Sequence, residues 1–462
     1  MTTTPEERVG RDSLGDLAGR FPPGFAWGAA TSAYQIEGAV DAGGRGPGIW
    51  DTYSHTPGRI EDGGTGDVAC DHYHRLTEDL DLMRSLGLGA YRFSVAWPRI
   101  QPTGSGPANP AGLDFYDRLV DGLLERGIEP WLTLFHWDLP QPLEDAGGWP
   151  DREVVGRFAD YTAILADRFG DRIRNWLSLN EPWCIAMLGY GIGRHAPGRQ
   201  DWAAALRAAH HTHLAHRAAV DVIRSTVPSA RIGIPLNLHH VKPASDTDAD
   251  RAAARLHDGT ANRWFLDPVL GRGYPRDIVE AFNPFLEGVD VSELDTETPP
   301  IDILGVNYYT RHVVRAVRDG EAVDGPEPTI MVDGGLPVTE MGWEVHADGL
   351  RLLLQRIQRE YAPASIAITE NGAAFVDSVG PEGSIADSRR VAYYRDHIAA
   401  TADAIAAGVP VEAYFAWSLM DNFEWGFGYT KRFGIVHVDF ETQRRTVKAS
   451  GAWYRDLIAA AL

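Results

Sequence analysis

Cysteine is nearly absent: Cys70 and Cys184 are the only two in 462 residues, too few for a disulfide framework. No apolar run is long enough to cross a bilayer, which excludes a membrane-spanning chain. The stretch from Met1 to Arg8 lacks the basic segment and following apolar segment of a secretory leader. Together these absences lead to the expectation of a cytoplasmic protein. Positive charge is scarce too, with 43 Lys and Arg against 64 Asp and Glu and a formal net charge of −21. Nucleic acid is held through cations that release counterions from phosphates, so nucleic acid and other polyanionic partners are excluded. The charge reads as a solubility device. A homo-oligomer is compatible with all of this.

What the chain has in quantity is core material. Apolar residues make up 44% and charged residues 23%, as in a soluble globular protein with a large interior. No linker-like stretch divides it. Strand-like runs at 25–30, 90–97, 130–135, 175–179, 231–236, 303–306, 366–369 and 411–417 alternate with amphipathic helical stretches at 76–86, 112–126, 153–169, 202–226, 348–361 and 388–407. Strict alternation implies a parallel sheet, and eight units favour closure. The expected architecture is therefore α/β: a single (β/α)8 TIM barrel over residues 21–462, with the active site at the C-terminal ends of the strands and a flexible tail at 1–20.

Two segments, Leu177-Ser178-Leu179-Asn180-Glu181-Pro182 and Ile366-Ala367-Ile368-Thr369-Glu370-Asn371-Gly372, each pass from an apolar strand straight into a glutamate. Two carboxylates at the ends of neighbouring strands are the minimum equipment for cleaving a glycosidic bond. Other strand ends deliver Gln35, Arg92, His136, Asn307, Tyr309, Trp417, Glu424 and Trp425 to the same expected rim. Any one of them could serve only to satisfy loop backbone groups. As a set they combine amides and carboxylates that grip hydroxyls with indoles that stack on a pyranose.

These residues carry a resemblance. Phe21 to Gly38, Tyr91-Arg92-Phe93-Ser94, Leu134-Phe135-His136-Trp137-Asp138, Asn180-Glu181-Pro182, Gly305-Val306-Asn307-Tyr308-Tyr309, Thr369-Glu370-Asn371-Gly372 and Trp417 to Trp425 stand in the order found in family-1 glycoside hydrolases of the β-glucosidase kind, which the chain resembles from about residue 20 to 455. The resemblance implies that Glu181 is the general acid and base and Glu370 the nucleophile, with Arg92, Asn307 and Tyr309 around them. A retaining mechanism of this kind needs the two carboxyls about 5 to 5.5 Å apart. It also implies sugar contacts from Gln35, His136, Asn180, Glu424 and Trp425, with Trp417 as the floor of the subsite, Phe433 beside it, and Trp183 and Trp343 flanking the leaving group. The implied activity is hydrolysis of terminal non-reducing β-D-glucosyl residues, with galactosides and fucosides also accepted, from cello-oligosaccharides or aryl and alkyl glycosides. Partners are then small β-glycosides, and no metal or cofactor is implied.

Relatives that cleave 6-phosphoglycosides have serine at the position of Glu424 and tyrosine at that of Phe433, with a lysine matching Lys431. Glu424 would repel a phosphate dianion, so unphosphorylated glycosides are expected. Plant thioglucosidases have glutamine where Glu181 stands, which favours ordinary O-glycosides here. Two alternatives share the scaffold: a catalytically silent sugar-binding barrel, against which both glutamates argue, and a transglycosylase, which shares the covalent intermediate. His210, His211, His213 and His216 cluster in one helical stretch but lack a further ligand for catalytic zinc. The run Asp246-Thr247-Asp248-Ala249-Asp250 lacks the glycine and terminal glutamate of a calcium loop. Gly43 to Gly48 does not follow the dinucleotide pattern and reads as a loop near the pocket mouth. Residues 317–337, rich in Gly, Asp and Pro, read as a rim loop shaping the leaving-group side.

Overall fold

Segments such as Trp131-Leu132-Thr133-Leu134-Phe135 are apolar without alternation, so a strand built from them must be covered on both faces. A computed structural model, describing residues 14–323, 325–380 and 383–462, shows how this is done. Eight parallel strands close into a barrel: β1 (Ala26–Ala30), β2 (Ala90–Ser94), β3 (Glu129–Phe135), β4 (Asn175–Leu179), β5 (Arg231–Asn237), β6 (Ile303–Asn307), β7 (Ile366–Asn371) and β8 (Val411–Trp417). Closure is made by β1, which pairs with β8 from Ala26↔Ala413 to Ala30↔Trp417 and with β2 through Gly28↔Ala90. Inside the barrel Trp131, Leu177, Ile303, Ala367, Ala413 and Phe415 form one packed cluster, while a larger apolar layer lies between strands and helices.

The helices Leu76–Ser85, Pro110–Glu125, Glu153–Phe169, Trp202–Thr226, Ala347–Tyr361 and Ser388–Ala406 follow the expected amphipathic stretches within a residue or two. Pro110 occupies the first helical turn, where its missing N–H costs nothing. No helix of the described residues is long and apolar enough to cross a membrane.

Three expectations need correction. The second strand stops at Ser94, because Pro98 cannot donate to a ladder and instead sits in the first turn of the short helix Trp97–Ile100. Residues 317–337 are not all loop: Thr329–Val332, rich in β-branched side chains, pairs antiparallel with Arg311–Ala316, which in turn pairs with His240–Pro243. This small sheet starts just beyond the C-terminal end of β6, so it builds the rim. The expected tail is also ordered near its end, since Leu14–Ala18 forms a short helix that buries Leu17 and Ala18 and packs on the C-terminal helix Ala449–Ala461. The rest of that stretch, 1–13, lies outside the described residues.

Candidate active site

Arg92 leaves β2 pointing into the barrel mouth, fully buried, and every guanidinium nitrogen is used. Its Nη1 donates to Glu370 Oε1 at 2.6 Å and to the Thr369 carbonyl at 3.0 Å, its Nη2 to Asn180 Oδ1 at 2.6 Å, and its Nε to Thr133 Oγ1 at 3.1 Å. Tyr309 donates its hydroxyl to the other Glu370 oxygen at 2.5 Å. Glu370 thus faces a cation on one oxygen and a phenol on the other. The residues after it hold the strand end in place: Asn371 donates to the Tyr308 carbonyl at 2.6 Å and accepts from Tyr414 at 2.5 Å. A side chain at Gly372 would put a Cβ 1.7 Å from the Trp417 carbonyl oxygen, so only glycine lets β7 and β8 approach there.

Glu181 lies just past β4 with φ of 50°, a left-handed conformation that costs a non-glycine residue about 1–3 kcal/mol. Its amide is anchored to the Pro235 carbonyl at 2.9 Å on the neighbouring strand. Trp137 (φ 76°) and Trp425 (φ 51°) at the same rim share that left-handed conformation. Asn307, paired in register with Glu370, donates to Glu181 Oε1 at 2.6 Å. The amide is oriented by Thr369, whose hydroxyl donates to Asn307 Oδ1 at 2.6 Å. The second Glu181 oxygen accepts from the Cys184 thiol at 3.0 Å.

These surroundings separate two carboxyls that are both buried. Burial raises the proton affinity of Glu181, the neighbouring Glu370 raises it further, and the thiol and amide offset only part of this. Burial raises Glu370 too, but Arg92, Tyr309 and Asn307 oppose it. The cation on Glu370, with none bonded to Glu181 among the described residues, favours the shared proton on Glu181.

Around this pair lies a cup of amides and rings. Asn180 Nδ2 donates to His136 Nε2 at 3.0 Å, so the His136 proton sits on Nδ1, a buried atom without a partner among the described residues. Gln35 Nε2 donates to Asn422 Oδ1 at 2.9 Å and to Glu424 Oε2 at 3.3 Å. Glu424 is buried without a cation, and its carboxyl is pushed up to about 8 by burial and by Glu370. The Trp417 and Trp425 rings lie 5.8 and 5.9 Å from His136, both nearly parallel to it. Tyr309, Trp343 and Phe433 form a second ring group with centroids 5.3 to 6.2 Å apart, in the same apolar cluster as Trp417. Trp183, half-buried beside Pro182, joins neither ring group.

Sequence reasoning missed Cys184, Thr369 and Asn422, and also Trp137, whose indole donates to the Asn180 carbonyl at 2.8 Å. Asn422, Thr369 and Trp137 lay inside the quoted motifs, but nothing local showed which atoms they meet. The histidine cluster has other occupations: His210 bonds Glu293, His211 the Trp149 carbonyl, His213 the Trp264 carbonyl and His216 Ser178. The aspartate run is a helix start, with Thr247 capping the amide of Asp250. A surface cleft of about 450 Å³ beside His240 and Arg356 lies away from both glutamates, and its Arg356 is already paired with Asp258.

Comparison with known proteins agrees with this geometry. The β-glucosidase A of Thermotoga maritima is 46% identical over 440 residues, covering 95% of this chain and 98% of that protein. A bifunctional β-D-glucosidase/β-D-fucosidase of Bifidobacterium breve is 45% identical over 457 residues, 95% of this chain and 98% of that one. A solved structure of the T. maritima β-glucosidase in complex with glucoimidazole superposes with a TM-score of 0.91 at 46% identity, covering 96% of this chain and 99% of that one. With its barrel, its paired glutamates and a match over residues 17–461 to the family described as Glycosyl hydrolase family 1, the chain belongs to that family.

Proposed function

We propose that the protein is a retaining β-glucosidase in which Glu370 attacks the anomeric carbon and Glu181 protonates the departing oxygen, then activates water against the glycosyl-enzyme. The observation that carries this is the asymmetry of the pair: a guanidinium and a phenol on Glu370, an amide and a thiol on Glu181. The first arrangement favours an anion, while on Glu181 two neutral donors only partly offset burial and the charge of Glu370 and so leave the acid protonated; these are the two starting states that double displacement requires. Once Glu370 is esterified its charge is gone, so Glu181 loses a repelling neighbour and becomes the base for water.

The sugar contacts are assigned to Gln35, His136, Asn180, Glu424, Trp425 and Trp417, with Phe433 beside Trp417 and with Trp183 and Trp343 toward the leaving group. The unpartnered His136 N–H supports this, because a buried donor left without an acceptor is costly until a hydroxyl supplies one. Glucosides are the first substrate class, with fucosides and galactosides accepted. A fucosidase activity in the Bifidobacterium relative's name and a galacto-hydroximolactam complex of the Thermotoga enzyme support that breadth. A 6-phosphate would face buried Glu424, while Lys431 lies over the Phe427 ring. Two free, buried thiols suit a reducing compartment, and we assign the protein to the cytoplasm.

The test is nitrophenol release from the β-glucoside, β-galactoside, β-fucoside and 6-phospho-β-glucoside. The unphosphorylated substrates should react and the phosphorylated one should not; inertness on all four would put the silent barrel ahead. In Glu181→Ala with a good leaving group, added azide should restore turnover and give the β-glycosyl azide. The α-azide, or no rescue, would remove Glu181 from its role.

A further inference from the structure

A thiol against an active-site carboxyl needs a reason, because an aliphatic side chain would fill the same space without a polar atom. Cys184 follows Glu181 by three residues and opens the helical turn Cys184–Ile192, which places its Sγ 3.0 Å from Glu181 Oε2. Among the described residues Asn307 supplies the only other side-chain hydrogen bond to this carboxyl, and it takes the opposite oxygen, Oε1. Each oxygen therefore has one partner, but the two partners differ in kind. The Asn307 amide has its other end tied to Thr369, so its Nδ2 can only donate. A thiol is a weak donor through S–H and a weak acceptor through sulfur, and it rotates about its own bond.

We propose that Cys184 is a positioning residue for the acid and base, its thiol donating to the Glu181 carboxylate and its sulfur accepting from the Glu181 carboxylic acid, so that one side chain serves both halves of the reaction. The inference rests on Glu181 being the acid and base. With Asn307 fixed as a donor on Oε1, the carboxyl proton belongs on Oε2, toward the thiol. When that proton leaves for the glycosidic oxygen, the S–H turns in and stabilises the new anion without any backbone movement. The thiol itself stays protonated throughout, since burial and the adjacent Glu181 both push its proton affinity up. The charged and titratable groups facing Glu181 from the other strands are Glu370, Arg92, Tyr309 and Glu424, and none of them bonds Oε2.

The experiment is the pH profile of kcat/KM for nitrophenyl β-glucoside in wild type, Cys184→Ala and Cys184→Ser, with Glu181→Ala and azide run in parallel. Because a hydrogen bond to the charged carboxylate is worth more than one accepted from the neutral acid, losing both in Cys184→Ala should move the alkaline limb upward by about half a pH unit to one unit. The stronger hydroxyl donor of Cys184→Ser should move it downward. A side chain that only fills space would scale the rates and leave the limb where it is, so an unmoved limb in both variants, or a shift of both in the same direction, overturns the proposal. If Cys184→Ala fails to fold, the serine variant decides alone: a downward shift supports the proposal and an unmoved limb overturns it. Absence of azide rescue would instead overturn the role of Glu181.

Discussion

Two clusters of buried charge are composed differently. In the first, Asp377, Asp387 and Asp421 meet Arg390, Lys448 and Arg432: Arg390 binds Asp377 at 2.9 Å and Asp387 at 2.5 Å, Lys448 binds Asp421 at 2.7 Å and also contacts Asp377, and Arg432 binds Asp421 at 2.7 Å. In the second, among the described residues, Glu181, Glu370 and Glu424 have Arg92 as their one cation, and of the three it bonds only Glu370. Burial would raise Asp421, but Lys448, Arg432 and Arg390 overcome it and hold the carboxyl below its usual range. The three glutamates are all raised. Matched charge makes a rigid brace, whereas a deficit of cations makes protons available near neutral pH, which is where an acid and base must work.

The largest expected effect comes from removing the proposed nucleophile. Glu370→Gln should lower the rate on nitrophenyl β-glucoside on the order of 10⁴-fold or more, read as initial rates on the folded variant. A residual rate within tenfold of wild type would erase the functional side of the contrast. In the brace, Lys448→Met leaves Asp377 and Asp421 short of a cation and should cost about 3–5 kcal/mol in urea unfolding.

The sharpest test of the contrast is its pH sign. Glu424 keeps its proton in the folded state up to about 8, while in the unfolded chain it ionises near the ordinary glutamate value. Its stabilising contribution is therefore complete below that ordinary value and is lost as pH rises toward 8. Glu424→Gln should accordingly raise the unfolding free energy increasingly as pH climbs through this window, on the order of a few kcal/mol at its upper end, read by urea unfolding at each pH. Asp421→Asn should behave in the opposite way, with a loss that is greatest at neutral pH and shrinks as acid protonates the wild-type aspartate. Parallel pH curves for the two variants would mean that the clusters do not differ as described.

The smallest effect is at Tyr309. Tyr309→Phe deletes one donor to Glu370 and leaves Arg92 in place, so kcat/KM should fall by about 10- to 100-fold, the worth of a hydrogen bond to a charged group. A variant as active as wild type would assign the whole polarisation of Glu370 to Arg92.

Much of this molecule is local in origin and so could be read along the chain. Strands such as Asn175–Leu179 and helices such as Glu153–Phe169 follow from apolar runs and 3.6-residue periodicity, and the position of Glu181 and Glu370 at strand ends follows from those runs. The errors arose where local signals competed. Pro98 ended a strand inside an apolar run, Thr329–Val332 found a partner strand within a segment dominated by turn residues, and Leu17 found a helix to pack on.

What the order of residues determined by itself is the alternating pattern, the barrel it implies, and which side chains arrive at the rim. What tertiary structure alone decided is which atoms meet there. Arg92 reaches Glu370 across 278 positions and Asn180 across 88, and the contacts arise because the parallel strands bring β2, β4 and β7 to one closed barrel mouth. The proton affinities of the three glutamates depend on those meetings and on the depth of burial. Periodicity describes which face of a strand or helix is covered, but the electrostatics of a site depend on distances of a few ångströms between segments that the pattern leaves unrelated.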